Sequence, residues 1–297
     1  MLQPWIVLVA YAALFVGFVG VLVFWRLFLR RNRRPFPDTL KLLRGPGESQ
    51  RRRLEALEER TITQLLMLFS LPVACGAALW WMTLHLDGDL QIIALAATLS
   101  LLVVGLFFLA RFLVARMQES ANRYLGYFGE RVVAEALEPL KSRGWRVFHD
   151  LPGEAETGPT FNIDHVVVGP AGVFAIETKT RRKGRARNGF AAHEIIFDGN
   201  VLAYPWGEDR HGLEQSRQQA AWLEDWLALK LGIQTVVTPV LVFPGWTIIR
   251  RGTGSVTVVN PKELAAAIDA TVTPVLTPSQ VDLIARQLET RCRDVEY

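Results

Sequence analysis

Three stretches of this chain, Trp5–Trp25, Thr61–Leu86 and Leu90–Ala110, run for 21, 26 and 21 residues without a single Asp, Glu, Lys or Arg. About 20 residues in a helix cross a hydrocarbon core of about 30 Å, so each stretch is long enough for a transmembrane helix. Spans are expected at about 5–25, 62–84 and 90–110. The first stretch lacks a basic leading region, is too long for the apolar part of a signal peptide, and runs into arginines rather than a small-residue cleavage site, which reads as an uncleaved anchor. The second holds Pro72 and Gly76, which membrane helices tolerate, and ends with Trp80 and Trp81 at the level of an aromatic belt. The short link His85 to Asp89 makes the second and third spans a helical hairpin. The competing reading, a buried core helix, fits the third stretch better than the other two.

Orientation follows from the basic residues beside the spans. Arg26, Arg30, Arg31, Arg33 and Arg34 follow the first span, Arg51 to Arg53 and Arg60 precede the second, and Arg111 and Arg116 follow the third. The N-terminus and the Asp87/Asp89 link carry no Lys or Arg. The expected topology therefore has the N-terminus outside, a basic loop 27–60 in the cytoplasm and the rest of the chain cytoplasmic, in the inner membrane of the cell if the source is bacterial. The loop is punctuated by Pro and Gly in its first half and is helix-prone from Glu48 to Arg60. Its arginines can meet anionic headgroups of the bilayer, although setting topology alone explains them.

The location of charge also decides what the basic pI of 9.3 means. Residues 1–116 hold 13 Lys and Arg against 7 Asp and Glu, a balance of +6, whereas residues 117–297 hold 20 against 22, a balance of −2. The basicity belongs to the topology signals and is no argument for nucleic acid as a partner. Two cysteines, with neither a CxxC pair nor a Cys/His zinc spacing, exclude a disulfide scaffold and a zinc site.

Residues 1–116 are thus read as a membrane region and 117–297 as an α/β domain. Leu125, Phe128, Val132, Val133, Ala136, Leu137 and Leu140 recur at helical spacing over 118–141, and Gly144 closes that helix. Strands are expected at Trp145–Phe148, Phe161–Val168, Val173–Lys179, Thr235–Phe243 and Val256–Val259, with a hairpin around Asp198-Gly199 and a helix over Leu213–Leu231. Asn260-Pro261-Lys262-Glu263 and Thr277-Pro278-Ser279-Gln280 each carry a helix start: a capping residue, Pro at the first helical position and Glu or Gln at the third. Trp222 and Trp226, four apart, are expected to pack on the sheet.

The chemistry concentrates in one hairpin. If the turn Gly169 to Gly172 closes symmetrically, Val168 faces Val173 and Asp164 faces Glu177, while Glu177 and Lys179 share a face and Thr178 points away. Two carboxylates facing each other in an apolar sheet repel unless a proton or a cation is shared between them, and a hard divalent ion, Mg²⁺ or else Mn²⁺, relieves the conflict. Such an ion would activate water for phosphodiester hydrolysis, with Lys179 beside it to orient that water and offset charge on the phosphorus oxygens. Spacing alone leaves open an edge-strand ion pair, Glu177 with Lys179, and a strand-end Asp164. Arg181, Arg182, Lys183, Arg185 and Arg187 form a basic loop directly after Lys179, suited to holding a phosphate backbone or simply to solubility.

The run Phe161-Asn162-Ile163-Asp164-His165-Val166-Val167-Val168-Gly169-Pro170-Ala171-Gly172-Val173-Phe174-Ala175-Ile176-Glu177-Thr178-Lys179 closely resembles the signature of the nuclease-related domain (NERD) family, a branch of the PD-(D/E)xK nuclease-like superfamily. Gly129-Glu130 upstream is similar to that family's Gly-Glu motif, Leu213-Glu214-Gln215 downstream to its glutamine motif, and Phe197-Asp198-Gly199 fits as well. The resemblance covers about residues 122–230. It implies a restriction-endonuclease-like α/β/α fold with a central mixed sheet. It also implies Glu130, Asp164, Glu177 and Lys179 as the active-site set, supported by Gln215, with Asp164, Glu177 and Glu130 holding the metal. Ile163 stands where the superfamily's name places a proline, as in the nuclease-related branch. The expected function is a membrane-anchored, Mg²⁺-dependent nuclease-like protein acting on DNA or RNA, with DNA the first expectation. The alternative is a catalytically inactive nucleic-acid-binding or regulatory module on the same tether.

Overall fold

The computed structural model describes residues 41–83, 85, 88–154, 160–185, 191–270 and 275–295, together with Ala13, Gly17, Gly20 and Phe24. The expected first span, 5–25, lies outside the described residues except at those four positions. The chain divides into two units, one containing Arg53–Asn122 and the other Leu40–Arg52 with Arg123–Glu296.

The described residues of the first unit are built of two helices. Helix α1 covers Glu48–Thr83 and helix α2 covers Asp89–Lys141; Gly88 between them takes a left-handed φ of +62°. The sequence separates a span at 90–110 from a helix at 118–141, but no Pro or Gly stands between Ala110 and Gln118, and the two are one helix of 53 residues. Among the described residues, α2 is the one helix long and apolar enough to cross a membrane. Leu90, Ile92, Ile93, Leu99, Leu106, Phe107 and Phe108 on it are all exposed.

The second unit is built on a five-stranded mixed sheet in the order β10-β8-β4-β3-β2, where β2 is Arg146–Gly153, β3 Phe161–Gly169, β4 Gly172–Thr178, β8 Val237–Val242 and β10 Thr257–Val259. β2, β3 and β4 are antiparallel neighbours, and β4, β8 and β10 run parallel. Because the strands are apolar on both faces, both must be covered. On one face Val166, Val168, Val173 and Ala175 pack with Leu223 and Leu227 of α3 (His211–Leu231) and Ile284 and Leu288 of α5 (Pro278–Cys292). On the other, Val167, Phe174 and Ile176 meet Val133, Leu137 and Leu140 of α2 and Leu264 and Ile268 of α4 (Pro261–Asp269). The result is a mixed α/β domain with helices on each side of a central mixed sheet. Both anticipated capping boxes form, at Asn260 and at Thr277.

A second sheet, in the order β7-β6-β5-β9, joins β5 (Glu194–Phe197), β6 (Leu202–Tyr204), β7 (Gly207–Asp209) and β9 (Thr247–Arg250). The hairpin around Asp198-Gly199 belongs here, not to the central sheet. A short pairing of β1 (Leu42–Leu43) with β11 (Arg293–Val295) completes the strands. Leu40–Arg52, placed by the sequence in the basic loop 27–60, thus cluster with the α/β unit. The apolar pair Leu42–Leu43 finds a strand partner there, and Arg44 finds the buried Asp150 and the half-exposed Asp294.

Candidate functional site

Lys179, at the end of β4, has its Nζ between two oxygens, donating to Glu177 Oε1 at 2.6 Å and to Gln215 Oε1 at 2.6 Å. Glu177 and Lys179 share a face, as strand alternation requires. The second Glu177 oxygen, Oε2, accepts from Gln219 Nε2 at 2.7 Å, and Gln219 also donates to the Asn162 carbonyl at 3.1 Å. Gln215 and Gln219 stand four apart on α3, one turn above the other, so a single helix face holds both members of the Glu177/Lys179 pair.

The β3–β4 ladder runs from Gly169↔Gly172 to His165↔Ile176, in the register that a symmetric turn dictates. One step further, where that register places Asp164 opposite Glu177, the Asp164 carboxylate itself takes over the pairing: its Oδ2 accepts the backbone N–H of Thr178 at 2.7 Å. Asp164 is 7% exposed and Glu177 4%. Burial, then the charges of Glu177 and Glu130, hold the Asp164 carboxyl well above the usual carboxylate range, against the pull of the Thr178 N–H and of Lys179.

Glu130 sits buried on α2. The glycine before it has a physical reason. A Cβ at Gly129 would lie 2.0 Å from Thr180 Cγ2, so only glycine lets α2 lie against the chain just past Lys179. Oxygen donors of this kind suit magnesium, which binds through one or two carboxylates and keeps several waters. Asp164 and Glu177 fit that pattern. Among the described residues no group of three or more Asp, Glu, His or Cys converges to hold a metal; Glu130 reaches Asp164 through its charge.

Of the basic loop, Arg181, Arg182, Lys183 and Arg185 are exposed, and Arg187 lies outside the described residues. Arg181 is tied to Asp209 of β7 at 3.0 Å. Trp226 packs in the core as expected, with Trp222 stacked on it at 6.1 Å.

Several residues of the site escape a reading from sequence. Gln219 was findable as the next turn after Gln215, and Asn162 as the alternate residue before Asp164. No local pattern points to the rest: Asn162 Nδ2 lies 2.7 Å from Asp150 Oδ1 and 3.5 Å from Asp164 Oδ1. Fully buried Asp150 in turn accepts from Arg44 at 2.8 Å and from the Ser49 hydroxyl at 2.7 Å. Asp150 also takes a left-handed φ of +52°.

These positions can be set beside known proteins. Residues 125–244 match the nuclease-related domain, NERD. The match to the NERD family takes in Gly129-Glu130 less than one helix turn pair from its start, the whole β3–β4 hairpin, the basic loop and α3. A 63-residue stretch is 37% identical to an uncharacterized protein of Bacillus anthracis, covering 21% of this chain and 30% of that one. The chain thus spans under a third of the length of that relative. No solved structure matches. The nuclease-related match accordingly covers the leading part of Arg123–Glu296 in the second unit, and nucleic acid is the partner it suggests.

Proposed function

We propose that this chain is a membrane-anchored, metal-dependent nuclease whose α/β domain hydrolyses phosphodiester bonds of DNA or RNA on the cytoplasmic side. The observation that carries this reading is the group formed by buried Asp164 and Glu177 with half-buried Lys179, held by Gln215 and Gln219 within a nuclease-related domain. Asp164 and Glu177, with Glu130 nearby, would hold Mg²⁺, which supplies Lewis-acid activation of a phosphate oxygen and of water. Lys179 is positioned to orient the attacking water and to offset charge on the phosphoryl oxygens. Gln215 fixes the ammonium, Gln219 fixes the Glu177 carboxylate, and the Thr178 N–H fixes that of Asp164. Arg181, Arg182, Lys183 and Arg185 lie where the phosphate backbone would be gripped.

The membrane anchor is supported by the exposed apolar sheath of α2, since a helix apolar all round belongs in a core or in lipid, and by the arginines that flank all three expected spans. The proposed topology places the N-terminus outside. With Mg²⁺, the full chain in nanodiscs is expected to cut plasmid or single-stranded DNA. Asp164→Ala, Glu177→Ala and Lys179→Ala should each lower the rate at least about 100-fold, and unchanged rates in these variants would sink the mechanism.

A second reading is a catalytically silent nucleic-acid-binding module. It is favoured by the Glu177 carboxylate, both of whose oxygens already accept, one from Lys179 and the other from Gln219. It predicts salt-dependent binding without turnover, insensitive to Lys179→Ala. Calorimetry with Mg²⁺ or Mn²⁺, comparing the wild-type chain with Glu177→Ala, separates the two.

A further inference from the structure

The basic loop after Lys179 runs over an aromatic shelf. Trp206, in the turn between β6 and β7, stacks on Tyr204 at 5.2 Å and 15° and meets Trp246 edge-on at 5.6 Å. Tyr204 in turn rests edge-on against buried Phe243 at 6.2 Å. Each ring is thus braced by the one beneath, yet Trp206 remains 49% exposed. The loop is bound to this shelf. Trp246 Nε1 donates to the Arg181 carbonyl at 3.3 Å, Arg181 pairs with Asp209, and a Cβ at Gly184 would come within 2.8 Å of the Trp206 ring. Asp209 also accepts the His211 N–H at 2.8 Å, at the start of the helix whose Gln215 holds Lys179. Loop, shelf and carboxylate site are therefore one connected structure.

Exposed cations beside a rigid, half-open indole combine the two elements that hold unpaired nucleotides: charge for the phosphates and a π-face for a base. Arg182, Lys183 and Arg185 supply the charge, against exposed Glu208 on the neighbouring strand. A paired base, enclosed in a duplex stack, has no face to offer. We infer that Trp206 and the Arg182–Arg185 loop form a binding site for single-stranded nucleic acid that feeds the carboxylate site. This rests on the proposed function and names its substrate class.

The test is fluorescence anisotropy of the full chain in nanodiscs with a labelled 20-nucleotide single strand and its duplex, in EDTA so that no cutting occurs. The single strand should bind more tightly than the duplex. Trp206→Ala should weaken single-strand binding about 5- to 50-fold with the salt dependence unchanged, while Trp206→Phe keeps most of the affinity. Arg182→Ala and Lys183→Ala, at exposed positions that folding does not need, should each lower the slope of log affinity against log salt by about 0.7. Equal affinity for strand and duplex, wild-type affinity in Trp206→Ala, unchanged salt slopes, or no binding of either nucleic acid would overturn the inference. A wild-type chain that binds the strand in this way but never cuts it with Mg²⁺ sinks the nuclease reading and leaves this site standing.

Discussion

Gly129 shows how a small residue places a charged one. Its missing side chain is the space into which Thr180 fits, and through that contact α2 brings Glu130 within electrostatic reach of Asp164. Gly129→Ala should therefore cost about 1–3 kcal/mol of stability, the usual penalty for overfilling a packed site, and should slow any hydrolysis by displacing the chain next to Lys179. Thr180→Ser removes the Cγ2 that the new methyl would strike. The Gly129→Ala/Thr180→Ser pair should then recover most of the loss, as read by urea unfolding and by activity; no recovery would mean that the contact is not the reason for the glycine. The sequence marks Gly129-Glu130 as a motif, but it takes the packing of α2 on the end of β4 to say why the pair belongs together.

Among the elements, the shortest has the widest reach. β1 brings Arg44 to Asp150 and Asp294, with 2.8 Å and 2.5 Å contacts, and Asp150 is linked through Asn162 to Asp164. Removing the guanidinium leaves a fully buried carboxylate with Ser49 and Asn162 alone. Arg44→Ala should cost about 2–4 kcal/mol, and adding Asp150→Asn should return part of it by removing the stranded charge. A fragment cut at residue 117, the boundary the sequence suggests, lacks this strand; its melting temperature should rise when a peptide of residues 40–52 is added. What the sequence made legible was local: the Gly169–Gly172 turn, the two capping boxes, and the alternation that joins Glu177 to Lys179. What it hid depends on partners far along the chain. Nothing near Leu42 announces a strand, since its partner lies some 250 residues away. Nothing near Asp198 tells which sheet its hairpin joins, because β9 supplies that neighbour.

For the molecule as a whole, the pair of fully buried His165 and half-buried His149 sets an acid limit. His149 and His165 meet Nδ1 to Nδ1 at 2.9 Å, an arrangement in which one neutral ring donates to the other. Burial, with the Lys141 charge, pushes His149 down to about 4, and burial with His149 holds His165 well below its ordinary value. The unfolded chain takes up these protons near pH 6.5 while the folded one refuses them. Stability from the pair is therefore complete above pH 6.5 and is lost as pH falls from 6.5 towards 4, on the order of 2–3 kcal/mol for one such group. The urea midpoint of the wild type should drop more steeply between pH 7 and 5 than that of His149→Phe; parallel curves would refute the assignment.

The pairing of β1 with β11 also orders events during synthesis. The two helices α1 and α2 begin inside the stretch that separates these strands, so the ribosome has delivered α1, α2 and the nuclease-related sheet before the partner of Leu42–Leu43 emerges. Until Arg293–Val295 arrive, Arg44 has only Asp150 to hold, and the long loop from residue 42 to residue 295 stays open. Closing it carries the entropic cost of joining distant chain, which makes docking of this strand a late step. The Asp164 carboxylate, at the far end of the Asp150–Asn162 contacts, therefore has its whole network of partners only once the chain has been made through β11.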